Sequence, residues 1–270
     1  MADRVGAQRQ GFAVGVLGGP TTVIDIGGSR FVVDPTFDPP GDKVYLTKLR
    51  GPAVPAAELG AVDAVLVSHD LHPDNLDESG KLFALAAPVL LTGPRAAERL
   101  GPPATGLATW ESTWVPRGDG AGELTVRAVP AMHGPADGTR DADGHVNCEV
   151  TGFVISGDGV PTVYVSGDNA SIAVVAEVAG RIGAVDVAVL FVGAARVAIR
   201  EGGRPLTLTS ERAAAAAAVL AAPAVVPAHY DSWAHFTEGP ERIVEAFEDA
   251  GLSKVLLMAP PGEWVRLPVG

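Results

Sequence analysis

Residues 67–77 read VSHDLHPDNLD, two histidines and three aspartates directly after the apolar run DAVLV, in a chain with only six histidines among 270 residues. Imidazole and carboxylate in this density, at the end of a strand-like run, suit either an acidic surface turn or one half of a metal site. The rest of the chain decides between them.

Three more strand-like runs end the same way. LTVRAVPAM leads to His133, TVYVSG to Asp168 and AVVPA to His229. Loops leaving strand ends in layered α/β folds gather at one edge of a sheet, where residues distant in sequence converge. Each histidine alone reads as an ordinary loop residue, but four ligand-type groups at four strand ends predict one site.

Short apolar runs bounded by Gly, Pro or Asp read as strands: FAVGVLGG, TTVIDIGGSRFVVDP, VDVAVLFVG, AVVPAHY and KVLLMAP. Between them ESGKLFALA, PRAAERLG, ASIAVVAEVAGRIG, TSERAAAAAAVLAA and EGPERIVEAFEDAG read as helices. Start signals fall at Asn169 or Ser171, at Ser210, and at Thr237 or Glu238 ahead of Pro240. Gly180 and Gly251 suit helix ends. Helix and strand therefore alternate, the class is α/β, and with no repeat or linker residues 1–270 are expected to form a single domain. GGS and GDG read as hairpin turns.

The chain is 47% hydrophobic and carries a formal charge of −12. Such a balance supplies a sizeable core but no basic stripe for a phosphate backbone, so nucleic acid is not expected as a partner. The N-terminal residues lack a signal-peptide pattern and no apolar run is long enough to span a bilayer, which predicts a cytoplasmic protein without membrane contact. Cys148 is the sole cysteine, so neither a disulfide nor a cysteine-based zinc site is expected, and it reads as a small residue opening a strand. No G-x-S-x-G elbow, P-loop or dinucleotide fingerprint is present.

The stretches VSHDLHPDNLD, PAMHG, VSGD and PAHYDSWAHF together resemble the metallo-β-lactamase superfamily of metal-dependent hydrolases, over almost the whole chain. The hallmark of that family is H-x-H-x-D-H, then a lone His, a lone Asp and a last His. The opening TTVIDIGGSRFVVDPTF is similar to the branch containing ascorbate-6-phosphate lactonase and N-acylphosphatidylethanolamine phospholipase D. The resemblance implies a four-layer αββα sandwich, two mixed β-sheets flanked by helices. It also implies His69, His72 and His133 as ligands of a first ion, Asp168 as a shared carboxylate, and Asp74 with His229 at a second ion.

Two departures bear on the metal. His69 and His72 are three apart, with Leu71 as the extra residue, so that Asp70 becomes a further candidate ligand. Asn75 stands where the hallmark ends in histidine, which weakens the second position or favours a harder ion. One or two divalent ions are expected, zinc first, with manganese or iron as alternatives.

Such a site implies a metal-bound hydroxide that cleaves a small ester, lactone, amide or phosphodiester. Asp74 would orient the water or take its proton, His229 would support the leaving-group side, and His235 would support a ligand, touch substrate or donate a proton. A di-iron redox enzyme and a catalytically weakened binding protein are the alternatives. The expected partners are a small-molecule substrate and, as an alternative to a monomer, further copies of the chain in a homo-oligomer. Tyr230 and Trp233 read as packing or pocket-lining residues, and Asp34 as a turn former or a support behind the ligands. Lys48 and Arg50 read as solvated charges. His145, with Arg140, is expected in an exposed loop over residues 136–147 that selects substrate if it covers the site.

Overall fold

The computed structural model describes residues 4–198, 201–265 and 267. Its first half runs β1 (Phe12–Gly18), β2 (Thr21–Ile26), β3 (Ser29–Val33), β4 (Gly41–Lys43), β5 (Leu46–Lys48), β6 (Ala64–Leu66), α1 (Glu78–Leu85), β7 (Val89–Thr92), α2 (Pro94–Leu100) and β8 (Ala104–Gly106). The second half runs β9 (Ser112–Pro116), β10 (Glu123–Pro130), β11 (Thr151–Gly157), β12 (Val160–Val165), α3 (Ile172–Ile182), β13 (Val187–Phe191), α4 (Ser210–Leu220), β14 (Ala224–Ala228), α5 (Pro240–Asp249) and β15 (Trp264–Val265).

One sheet is ordered β15-β1-β2-β3-β6-β7-β8, the other β14-β13-β12-β11-β10-β9, and β4 with β5 forms a separate hairpin. Both sheets are mixed. Strands β1 to β3 pair antiparallel, and β3, β6, β7 and β8 pair parallel, with α1 and α2 as crossovers. Likewise β9 to β12 meander antiparallel before β12, β13 and β14 run parallel.

Alternation along each strand sorts side chains into layers. Phe31 and Val33 of β3 and Leu66 of β6 face Phe153, Ile155, Val189 and Val226 of the other sheet in one buried core. Their neighbours Val32 and Val65 pack outward with Ala84 of α1. Across the molecule, Tyr164, Leu190 and Val225 pack outward against Val175 of α3, Ala213 and Ala217 of α4, and Phe247 of α5. The result is the four-layer αββα sandwich. Covering both faces of the parallel strands explains why they read as unbroken apolar runs.

Several local expectations shift. KVLLMAP makes an isolated bridge, Leu256 to Val225, rather than a strand, because Pro260 and Pro261 follow at once and remove two donors. Gly180 lies inside α3, which ends at Gly183 (φ 77). Thr209, not Ser210, caps α4 by accepting from Arg212 N, and α5 starts after Gly239 with Pro240 in its first turn. Ser171 caps α3 as expected, and the two-residue turn Gly27-Gly28 (φ 57 and 73) closes the β2–β3 hairpin.

Candidate metal centre

The topology delivers the chemistry to one place. Strands β6, β10, β12 and β14 lead into His69, His133, Asp168 and His229, and β3 leads into Asp34. All five side chains are buried.

His69 Nε2 lies 2.8 Å from His72 Nδ1, and His133 Nε2 lies 3.1 Å from the same atom. Turn residues between them absorb the extra position, leaving Leu71 half exposed. The proton positions of this triad follow from its supports. Ser68 Oγ donates to Asp34 Oδ2 at 2.6 Å, so towards His69 Nδ1, at 3.0 Å, it acts as acceptor. The carbonyl of Leu206 takes the Nδ1–H of His133 at 3.1 Å. Both rings are thereby held as Nδ1–H tautomers with an Nε2 lone pair aimed at the centre. Burial, reinforced by the neighbouring imidazoles, pushes His69 and His133 well below the ordinary histidine range, so the rings stay unprotonated. The Nε2 lone pairs of His69 and His133, converging beside His72 Nδ1, are a donor set that a cation satisfies.

A second cluster adjoins the first. His229 Nε2 lies 3.2 Å from Asp74 Oδ2 and 3.3 Å from Asp168 Oδ1, while Asp168 Oδ2 lies 3.4 Å from His133 Nε2. Asp168 therefore spans both clusters with its two oxygens. Burial lifts Asp168 to about 6, with the charge of Asp74 adding to it and His229 opposing. Burial also opposes ionisation of Asp74, but His235 and His229 overcome it and hold Asp74 well below the usual carboxylate range.

Asn75 fills the place of the hallmark histidine differently. Both of its neighbours are carboxylates, so its amide NH2 faces them, donating to Asp34 Oδ2 at 3.1 Å and Asp168 Oδ1 at 3.0 Å. Its Oδ1 is buried with no hydrogen-bond partner among the described residues. Asn75 thus ties the shared carboxylate to Asp34. Asp34 itself, at φ 42, accepts Ser68 N–H at 2.6 Å, and burial raises it to about 7 against these hydrogen bonds.

Other expectations are corrected. Asp70 turns away from the centre into a two-pronged pair with Arg99. His235, for which supporting a ligand was one of the roles expected, has its Nε2 3.0 Å from Asp74 Oδ2. Lys48 is not solvated: it is buried, 2.9 Å from Asp77 and 5.4 Å over the ring of Trp233. Neither Arg140 nor His145 lines the cleft, because the Arg140 guanidinium bonds back to Gly144 O within its own turn, and only Asn147 of that loop reaches the site. Trp233 and Tyr230 pack rather than line. Cys148 does not open a strand. It lies in a bend before β11, with Sγ grouped with the ligand nitrogens of His69, His72 and His133, all within 4.8 Å of one another. The sequence reading missed this thiol because it precedes a strand, whereas every other candidate follows one.

Backbone placement of His229 is unusual. At φ 62 it occupies the left-handed region, uncommon for histidine. Its carbonyl passes so close to Gly193 that a Cβ there would lie 2.1 Å from it. The following loop is pinned by Gly19 N–H donating to Asp231 at 2.7 Å and by Ala234 N–H donating to Thr47 O at 3.0 Å. The second contact brings β5 and its turn over the centre. Tyr45, Leu46, Ala195, Val197 and Leu206 form the apolar walls of the cleft, above His72, His133, Asp74, Asp168 and His235.

The β-lactamase superfamily domain matches residues 29–230. The chain belongs to this superfamily. Within it, a metal-dependent hydrolase of Methanosphaerula palustris is 31% identical over 206 residues, 74% of this chain and 83% of its own length. Another metal-dependent hydrolase, from Pelotomaculum thermopropionicum, is 30% identical over 245 residues, covering 89% and 94%. This β-lactamase superfamily protein is thus a metal-dependent hydrolase by family. Its fold agrees with the isothiocyanate hydrolase from Delia radicum gut bacteria, at a TM-score of 0.78 and 20% identity over 94% of this chain and 98% of that one. No helix among the described residues is long and apolar enough to cross a membrane.

Proposed function

We propose that the protein hydrolyses a small, uncharged ester, lactone or amide with one or two divalent ions. His69, His72 and His133 would hold the first ion, and Asp74 and His229 the second, with Asp168 shared. The observation that carries this reading is the convergence of His69 Nε2, His72 Nδ1 and His133 Nε2 beside a carboxylate that also reaches His229.

When bound, a divalent ion acts as a Lewis acid, acidifying a water and polarising the acyl oxygen under attack. Zinc suits the imidazole-rich first position, and manganese or iron the more oxygen-rich second. Asp74, ionised and held by His229 and His235, orients the attacking water and accepts its proton. His235, bonded to the same oxygen, is placed to pass that proton towards the leaving group. Apolar walls from Tyr45, Leu46, Val197 and Leu206 exclude bulk water from the floor.

Among the described residues no lysine or arginine reaches the histidine and aspartate floor of this cleft, and Arg196, which lines the adjoining hollow beside Tyr45 and His235, donates to Gly203 O at 2.9 Å, which favours a neutral acyl substrate over a phosphodiester. A panel of neutral esters, lactones and amides, run beside phosphodiesters on protein purified without chelator, tests the assignment. Turnover of an acyl substrate is expected, with one to two transition-metal ions per chain. Changing His133 or Asp168 to Ala should remove metal and turnover together. Unchanged metal content in both variants would refute the assignment, and a metal-loaded protein inert to the whole panel would favour a binding role.

A further inference from the structure

We propose that Cys148 is a fourth protein ligand of the histidine triad, making the first metal position a three-histidine, one-cysteine site. The proposal rests on the metal-dependent reading above and adds a ligand outside the pattern of strand ends that pointed to the others.

Three observations carry it. Cys148 Sγ belongs to the same cluster as the ligand nitrogens of His69, His72 and His133, within 4.8 Å. The residue is 6% exposed, so the sulfur is buried beside these three nitrogens. The backbone is also bent to deliver it. Cys148 N–H donates to Val146 O at 2.8 Å, closing a tight turn centred on Asn147 at φ 65, ahead of the regular pairing of β11 that begins at Thr151.

Chemistry fits the arrangement. Tetrahedral zinc with Zn–N near ~2.1 Å and Zn–S near ~2.3 Å places its ligand atoms roughly 3.3–3.6 Å apart. Drawing the sulfur in from the observed cluster takes a shift on the order of an ångström, within reach of a side-chain rotation. On binding, the S–H bond breaks, the proton passes to solvent and the sulfur electron pair goes to the ion. A thiolate makes this position soft, so it selects zinc or cobalt over manganese or magnesium. With Cys148 added to the triad and to the shared Asp168, that position would anchor its ion, and the position held by Asp74 and His229 would be the one left open to water.

Cobalt(II) reports the bond directly, because a coordinated thiolate gives an intense near-ultraviolet charge-transfer band that imidazole and carboxylate ligands do not. The protein is stripped of metal, titrated with cobalt(II), and followed by absorption and by bound cobalt per chain. Expected is a charge-transfer band that grows with the first equivalent. The band should be absent in Cys148→Ser and Cys148→Ala, and the first-equivalent affinity of both variants should fall by roughly 10-fold or more. The thiol of the wild-type protein should also become unreactive to a thiol reagent once cobalt is bound. Cobalt bound to the wild-type protein without the band would overturn the proposal while leaving the metal reading standing. Failure to retain any cobalt would overturn the metal reading, and the proposal with it. The wild-type spectrum decides the matter even if a variant folds poorly.

Discussion

Asp34 offers a quantitative test of the support behind the ligands. Burial raises this carboxyl from 3.8 to about 7 although Ser68 and Asn75 donate to it. In the unfolded chain the group returns to its ordinary value. Between pH ~4 and ~7 the folded state therefore holds a proton that the unfolded state has lost. Stability from this group is full below the unfolded value and is lost as pH rises through the folded one. A gap of about 3 pH units at 1.36 kcal/mol each amounts to about 4 kcal/mol. Asp34→Asn keeps the size of the side chain, tolerates the left-handed φ of 42, and does not titrate. One donor of the new amide would oppose the Asn75 amide, a pH-independent penalty of about 1–3 kcal/mol. The stability of wild type relative to the variant should then shrink by up to about 4 kcal/mol from pH 4 to pH 8 in metal-stripped protein. Urea unfolding followed by tryptophan fluorescence at a series of pH values measures it. The other titrating groups are common to both chains and cancel to first order. A difference that stays flat within about 1 kcal/mol would refute the argument, since a constant offset alone means that Asp34 is ionised throughout. Metal should flatten the slope, because a nearby cation favours the charged form.

Other changes probe separate parts of the scaffold. Gly193→Ala places a Cβ 2.1 Å from the carbonyl of His229, backbone that cannot rotate away, so metal bound through His229 and turnover should fall together while secondary structure by circular dichroism is kept. Arg30 is fully buried, pairs with Asp25 at 2.7 Å and donates to three backbone carbonyls. Arg30→Met should destabilise by about 3–5 kcal/mol in urea titration, and changing Asp25 to Asn as well should return part of the loss, because the stranded charge goes with it. Lys48→Met leaves Asp77 with backbone donors from Phe37, Asp38 and Gly80, so a smaller loss of about 2–3 kcal/mol is expected, with turnover retained at temperatures where the variant is folded.

The strands and helices were legible because their signals are local, whereas their four-layer arrangement was implied by the resemblance. Runs such as VAVLF of β13 are buried on both faces and hold only apolar residues, and α5 shows its apolar spacing in Ile243, Ala246 and Phe247. Helix ends were less legible: Thr209 and Ser210 are equally good caps in sequence, and the choice fell to Glu238, whose carboxylate takes Ser210 N–H at 2.6 Å from another part of the chain. The ligand-type residues were legible as a pattern of strand ends. What surrounds them was not, because it depends on contacts between loops that no spacing encodes. Lys48 looked solvated until Asp77, 29 residues away, came to lie 2.9 Å from it.

Asn75 shows how far that limit reaches. Judged against a hallmark, an asparagine in place of histidine is a lost ligand. In the structure the same residue faces two carboxylates, at 3.1 Å and 3.0 Å, that would otherwise repel one another across the floor of the site. A histidine there would offer at most one donor in that direction, whereas the amide offers two. The substitution therefore exchanges a metal contact for a fixed orientation of Asp168, the group that reaches both clusters. It follows that Asn75→His should disorder Asp168 rather than restore a second tight position, so the variant should bind metal more weakly than wild type in a competitive chelator titration. Tighter binding of a second ion would show instead that ligand number, and not the placement of Asp168, limits the site.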